Sequence, residues 1–253
     1  MAKQKIIAIA NQKGGVGKTT TAINVAANIG AKGKKVLVVD LDPQANTTSG
    51  LGVDKTELKY SIYQALHKPE LAKEAIVQTE FDVDLLPANP ILAAAEVELV
   101  GEEHREFRLN KVLAQFAYDY VIIDCPPSLG ILTLNGLTAA THLLIPVQAE
   151  YYAMEGLGQL LQTVELVKKG LNPNLELTGV VVTMHSKRTT LSAQVRAEVQ
   201  KHFPGLVFKT VIPRNVRLAE APSYGQPISR YDKWSKGSRS YKELTKEVVA
   251  RVG

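Results

Sequence analysis

Eleven consecutive residues, Asn11-Gln12-Lys13-Gly14-Gly15-Val16-Gly17-Lys18-Thr19-Thr20-Thr21, carry the densest chemistry in the chain. Three glycines among Gly14–Gly17 let the backbone curl tightly, so that successive N–H groups turn inward on an anion. The helical pattern that follows aims its N-terminus at the same point, adding unpaired N–H groups and the positive end of its dipole. Lys18 is placed to reach the β- and γ-phosphates of a nucleotide, and the Thr19 hydroxyl to ligate Mg²⁺. Threonines in a row are poor helix formers, which makes sense if their hydroxyls serve a ligand or cap the helix. A plain glycine-rich turn would leave Gly17-Lys18-Thr19 at the helix start unexplained. The expectation is a nucleotide phosphate site.

Two further segments end in carboxylates. Val36-Leu37-Val38-Val39-Asp40-Leu41-Asp42-Pro43-Gln44 places Asp40 and Asp42 at the C-terminal end of an apolar run, the edge where open α/β sheets bind ligands. An Asp-Pro turn accounts for Asp42-Pro43 but not for Asp40. Tyr120-Val121-Ile122-Ile123-Asp124-Cys125-Pro126-Pro127 is built the same way and ends on Asp124. Cys125 reads as a small buried residue, because no His or Asn is evident to activate it.

The elements that must position these residues alternate along the chain. Runs at 5–11, 35–40, 83–86, 120–124, 142–148, 177–184 and 207–212 read as strands, several apolar throughout as buried parallel strands are. Helical patterns fall at 19–31, 91–100, 106–116, 131–140, 155–169, 191–203 and 240–252. Strand and helix in turn imply βαβ crossovers: an α/β fold, a largely parallel twisted sheet with helices on both faces. With 253 residues and no repeat or linker, a single domain over 1–253 is expected.

Composition excludes other classes. Apolar residues make up 45% and charged residues 22%, which is globular rather than disordered. One cysteine rules out a disulfide framework, and the five histidines show no metal-ligand spacing. The basic-then-apolar N-terminus is too short for a signal peptide and runs straight into Gly14-Gly15, and no apolar stretch is long enough to span a membrane. A cytoplasmic protein is expected. Residues 176–253 hold 14 Lys+Arg against 6 Asp+Glu, whereas residues 1–175 hold 16 against 19. A basic final third suggests a face for a polyanion, with a lysine-rich solvated surface as an equal reading from charge alone.

Lys13-Gly14-Gly15-Val16-Gly17-Lys18-Thr19 departs from the usual phosphate loop, which has glycine where Gln12 stands and no use for Lys13. It resembles the deviant Walker A motif of the ParA/MinD family of ATPases, and the resemblance extends from about Ile6 to about Val249, nearest to chromosomal ParA (Soj) proteins. Asp42-Pro43-Gln44-Ala45-Asn46-Thr47-Thr48-Ser49-Gly50-Leu51-Gly52 matches, with Ala45 where glycine is commoner. Pro146-Val147-Gln148-Ala149-Glu150-Tyr151-Tyr152-Ala153-Met154-Glu155-Gly156-Leu157 and Ile212-Pro213-Arg214-Asn215-Val216-Arg217-Leu218 match as well. The resemblance implies ATP bound by Lys13, Gly14, Gly15, Val16, Gly17, Lys18, Thr19 and Thr20, with Pro213 and Asn215 against the adenine. It implies catalytic roles for Lys13, Lys18 and Asp42, with Lys13 reaching the partner's nucleotide across a dimer interface and Asp42 near Mg²⁺ and the attacking water. It implies Mg²⁺ held at Thr19, Asp42 and Asp124, and Pro126-Pro127 shaping a loop that senses the γ-phosphate.

The resemblance further implies an ATP-held homodimer on non-specific double-stranded DNA, associated with the nucleoid, whose slow hydrolysis is stimulated by a ParB/Spo0J-type centromere-binding protein. Arg188 and Arg217 fall at family positions that contribute to DNA binding. Lys233, Lys236, Arg239 and Lys242 are basic candidates for the same face. Relatives offer rivals. An N-terminal DNA-reading domain has only ten residues before the loop, an iron-protein cluster has one cysteine where two are needed, and a tyrosine-kinase tail has Tyr241 alone. A MinD-like membrane-associated ATPase would use the last helix, but Tyr241, Leu244, Val248 and Val252 read as a docking stripe, so no stable membrane association is expected. A metabolic ATP-dependent ligase on the same fold is the remaining alternative.

Overall fold

The computed structural model describes residues 4–150, 155–186 and 188–253. Part of the matched stretch around Glu150, the first residues of the basic N-terminus and Lys187 lie outside the described residues. Seven strands form one sheet: β1 (Lys5–Ile9), β2 (Val36–Asp40), β3 (Val77–Gln78), β4 (Asp84–Leu86), β5 (Tyr120–Asp124), β6 (His142–Gln148) and β7 (Glu176–Thr183). Their order is β3-β4-β2-β5-β1-β6-β7, parallel throughout except for the β3–β4 pair. The α/β fold expected from the alternation is therefore the one observed.

Apolar side chains of the central strands divide between the two faces with the strand period of two. Ile7, Ile9, Val36, Val38 and Ile122 pack on one side, and Ala8, Leu37, Val39, Val121 and Ile123 on the other. The first face is covered by α1 (Lys18–Gly30), α10 (Val216–Glu220), α11 (Ile228–Tyr231) and α12 (Lys236–Val252). The second is covered by α3 (Ile62–His67), α4 (Ala72–Ala75), α5 (Leu92–Glu98), α6 (Arg108–Leu113), α7 (Ile131–Ala139), α8 (Glu155–Gly170) and α9 (Thr190–His202). A short helix, α2 (Asn46–Gly50), follows β2. Both faces being dry explains why the strands read as unbroken apolar runs. Tyr241, Leu244, Val248 and Val252 are at most 3% exposed, so the α12 stripe docks on the body as its spacing predicted. No helix of the described residues is long and apolar enough to cross a membrane.

Register does the positioning that matters for function. β5 lies between β1 and β2, with Asp124 opposite both Ile9 and Asp40. The phosphate loop leaving β1 and the two carboxylate-terminated strands thus end at one edge.

The structure corrects the expected strand at 207–212. That segment makes only isolated bridges with the β7 region, Val180 to Val207 and His185 to Pro213. Its middle is drawn off the ladder by Glu247 of α12, whose carboxylate accepts the N–H groups of Lys209 and Thr210, each at 2.9 Å. The helix expected at 240–252 begins four residues earlier, where Ser235 accepts from the Ser238 N–H and caps it. Helix α3 was also unforeseen, although Ser61 and Gln64 form the capping box that such spacing encodes.

Candidate nucleotide site and the basic cleft beside it

The phosphate loop is pinned at both ends. Asn11 donates its Nδ2 to the Pro146 carbonyl (2.7 Å) and accepts the Lys13 N–H on Oδ1 (3.0 Å). Thr183 donates its hydroxyl to the Val16 carbonyl at 2.8 Å. Between these ties Gly15 and Gly17 adopt φ of +73° and +90°, the left-handed region that glycine enters without strain. No side chain caps α1 among the described residues, so its first N–H groups remain available to an anion.

Lys18 is buried, with Nζ donating to the Lys13 carbonyl at 3.2 Å. Burial holds its pKa below the ordinary lysine value, against the opposing pull of Asp124 and Asp42. Asp124 Oδ2 accepts two hydroxyl protons, from Thr19 and Thr47, each at 2.7 Å. Its other oxygen, Oδ1, is buried with no hydrogen-bond partner among the described residues. Burial raises the Asp124 carboxyl to about 6. An orphaned buried acceptor beside a threonine hydroxyl whose lone pairs remain free fits a hydrated divalent cation. Mg²⁺ keeps several waters and needs few protein ligands, so the lack of a larger His/Cys/Asp/Glu cluster among the described residues is no obstacle.

Asp40, which a simple turn left unexplained, organises the segment after β2. Its Oδ2 accepts from the Thr48 N–H (2.8 Å) and hydroxyl (2.7 Å), and its Oδ1 from the Asp42 N–H (3.2 Å). Burial, with Asp124 nearby, raises its carboxyl to about 7. Helix α2 therefore hangs from both strand-end carboxylates, through Thr47 and Thr48. Ala45, entering α2, has φ +55°, the left-handed conformation that glycine would take more easily. Asp42 itself is 8% exposed and accepts the Gln44 N–H at 2.9 Å. Cys125 is fully buried and its thiol is pushed up by burial, so it stays a packed thiol.

Lys13 lies at the outer side of the loop, 3.4 Å from Glu150 Oε2. Glu150 also stands 3.7 Å from Arg214 Nη2 and is held by the Gln148 amide at 2.6 Å. Gly14 is exposed, and a β-carbon there would meet nothing within 4 Å.

Pro213 and Asn215 are brought to the loop. With Gly17, Thr20, Thr183, Met184, Leu218 and Tyr241 they line a cleft of about 210 Å³. Asn215 Oδ1 caps α10 by accepting the Leu218 N–H.

Pro213 and Arg214 are also part of a second cleft, about 560 Å³, lined by Arg188, Lys236 and Arg239 together with His185 and Ser186. Three of the six basic candidates thus converge, and Arg214 joins them unforeseen. The other three do not line it. Arg217 is ion-paired to Glu220 (3.0 Å) and Asp232 (3.6 Å), Lys233 lies over the Trp234 ring, and Lys242 is exposed on α12. Thr47, Thr48, Thr183, Asn11 and Glu150 are further site residues to which sequence reasoning gave no role; all but Thr48, which holds Asp40 eight residues back, act through a neighbour distant in the chain. A cavity of about 630 Å³ at the opposite edge, near Lys35 and Asp84, holds none of the predicted residues.

Comparison with known proteins shows the family. The AAA domain family model matches residues 4–177. The chain is 54% identical to the sporulation initiation inhibitor protein Soj of Bacillus subtilis, over 97% of this chain and 98% of that one. It is 51% identical to the chromosome partitioning protein ParA of Myxococcus xanthus, over 98% and 88% respectively. Among solved structures, cobyrinic acid a,c-diamide synthase of Mycobacterium smegmatis with bound ADP and magnesium superposes with a TM-score of 0.86 at 40% identity, covering 96% of this chain and 93% of that one. An aspartate-to-alanine variant of Cyanothece McdA in complex with ATP gives 0.88 at 25% identity, covering 98% and 96%. Full-length identity above one half, over a phosphate loop flanked by two carboxylate-ended strands, places the chain in the ParA/Soj family of chromosome-partitioning ATPases, with ATP and Mg²⁺ as its ligands.

Proposed function

We propose that this single-domain ATPase pairs with a second copy when ATP is bound, that the pair holds double-stranded DNA without regard to sequence, and that a ParB-type partner ends the bound state by speeding hydrolysis. The observation that carries the reading is the contiguity of the base cleft with the basic cleft, through Pro213 and Arg214. Nucleotide and polyanion would occupy adjoining sites.

In this reading the loop N–H groups and Lys18 hold the β- and γ-phosphates, Thr20, Pro213 and Asn215 take the nucleoside, and Lys13 leaves Glu150 for the partner's phosphates. Thr19 and Asp124, with Asp42 beside them, would hold the cation, which supplies charge neutralisation on the phosphate oxygens when bound. Asp42 orients the attacking water. The loop itself contains no arginine, so transition-state charge stays partly uncompensated and turnover is slow until a partner adds a cation. Arg188, Arg214, Lys236 and Arg239 contact DNA phosphates, with Arg217, Lys233 and Lys242 at the periphery, and the protein resides on the nucleoid. Each cleft alone binds weakly; two on one duplex gain by effective concentration. Burial of the α12 stripe counts against the membrane-associated alternative.

A mobility-shift series over ATP, ADP and salt tests the proposal. Binding should require ATP, fall steeply with salt and vary little with sequence. Arg188→Glu and Arg239→Glu should weaken it while preserving ATP-dependent dimers in light scattering. Equal binding with ADP, or binding insensitive to salt, would refute it.

A further inference from the structure

Trp234 is the single tryptophan of the chain, and it is 78% exposed. A large aromatic ring left in water is unusual for a residue with no catalytic duty. It is not displayed on a loose segment. Its backbone N–H donates to Asp232 Oδ1 at 3.1 Å, and Ser235 donates its hydroxyl to the Asp232 carbonyl at 2.9 Å while capping α12. Arg217 braces the same Asp232 from α10. These bonds tie the turn that carries the ring to α10 and α12.

The surroundings give the ring a chemical context. Val216 and Tyr224 are 72% and 65% exposed; Val216 adjoins Arg217 in the chain, and Tyr224 packs on Tyr231, whose hydroxyl shares Glu220 with Arg217. Between positions 214 and 239 the chain carries six Lys or Arg against Glu220 and Asp232. Lys233 Nζ lies 5.2 Å from the indole centroid, and Lys236, two residues on, lines the basic cleft. Apolar side chains set among cations are how groove-binding proteins hold duplex DNA by more than phosphate charge. A flat bilayer would instead call for a broad apolar face, and the helix with that pattern is buried.

We infer that Trp234 is a DNA-contacting residue that lies against sugars and base edges in a groove of the duplex, with Lys233 and Lys236 on the flanking phosphates. The inference rests on the proposed DNA binding and adds an apolar, salt-independent contact to it. DNA affinity then has two components: one released with counterions, and one that survives them.

The test uses the full chain with ATP and Mg²⁺, a mixed-sequence duplex, and the intrinsic fluorescence of its one tryptophan. Adding duplex should quench or blue-shift the emission beyond any change that ATP alone produces. Trp234→Ala should bind duplex about 5- to 30-fold more weakly, as burial of roughly 40–80 Å² of the ring would give, by a factor that stays constant from low to moderate salt, and Trp234→Phe should recover part of it. Lys233→Ala, by contrast, should lower the slope of log affinity against log salt by about one. Wild-type binding with unchanged emission and an undiminished Trp234→Ala affinity would overturn the inference and leave the DNA-binding proposal standing. Absence of any wild-type binding to duplex, read by gel mobility with ATP present, would overturn both. A blue shift on phosphatidylglycerol vesicles without one on duplex would reassign the surface to membranes and overturn it as well.

Discussion

Replacing Lys18 by methionine separates the stability of the site from its use. In the nucleotide-free protein the ammonium is buried, and its lowered pKa says that desolvation outweighs the attraction of Asp124 and Asp42. Lys18→Met keeps the side-chain length, removes that penalty and should leave the apo protein at least as stable as wild type. With nucleotide the balance reverses, because the loop has no other buried cation for the phosphates. Removing one member of a buried charge pair costs about 3–5 kcal/mol, so ATP affinity should fall by roughly 10² to 10³ or more. At an ATP concentration about 100-fold above the wild-type Kd, bound ligand stabilises wild type by about 2.7 kcal/mol, against under ~0.5 kcal/mol for the variant. For a chain of this length that is a rise in Tm of roughly 5–10 °C in wild type and under ~2 °C in Lys18→Met. Differential scanning fluorimetry with and without ATP–Mg²⁺ reads both halves. A folded variant with a wild-type nucleotide shift would refute the placement of the phosphates at Lys18, whereas a variant already destabilised by several degrees without nucleotide would refute the desolvation argument.

Asp42→Ala should bind ATP normally and lose most hydrolysis, accumulating as a dimer in light scattering; unchanged steady-state phosphate release would remove Asp42 from the reaction. Gly14→Val should fold and bind ATP, since its β-carbon meets nothing within the protomer, yet fail to dimerise; ATP-dependent dimers of that variant would break the proposed pairing face. Without nucleotide, Asp40 and Asp124 hold protons to about pH 7 and 6, against about 4 in the unfolded chain. The folded state therefore binds more protons in that interval, and these two groups lower stability as pH rises from about 4 to 7, with no further effect above it. Asp40→Asn should flatten the decline in urea-unfolding free energy with pH; identical slopes for the variant and wild type would contradict the assignment.

The nucleotide site was legible because backbone and chemistry coincide in adjacent residues. Glycines that permit the loop, the lysine and the threonine all lie within one short segment, and Asp40 and Asp124 announce themselves as charges ending apolar strands. What remained hidden depends on distant partners. Nothing in the segment 207–212 shows that Glu247 will take its amides. The resemblance singled out Arg217 and gave Arg214 no role, yet the Asn215 cap starts a helix between them. It leaves Arg214 at the cleft and Arg217 against Glu220 and Asp232. The glycine-like position of Ala45 was visible as a departure from the family pattern, and its left-handed φ supplies the reason.

Glu150 has two cations, Lys13 from the phosphate loop and Arg214 from the basic cleft, and so is a wire between the two sites whose capacity can be bounded. All three side chains are more than a third exposed, and ion pairs in such surroundings are worth about 0–1 kcal/mol. Whatever message passes from nucleotide to cleft through this carboxylate is capped at roughly that value, a change in affinity of no more than about fivefold. Reciprocity applies the same ceiling to DNA acting back on nucleotide affinity by this route. An ATP effect on DNA binding larger than fivefold would therefore not run through this carboxylate; it would need the wall that Pro213 and Arg214 share between the two clefts, or, in the proposed pairing, a change in how many clefts engage one duplex.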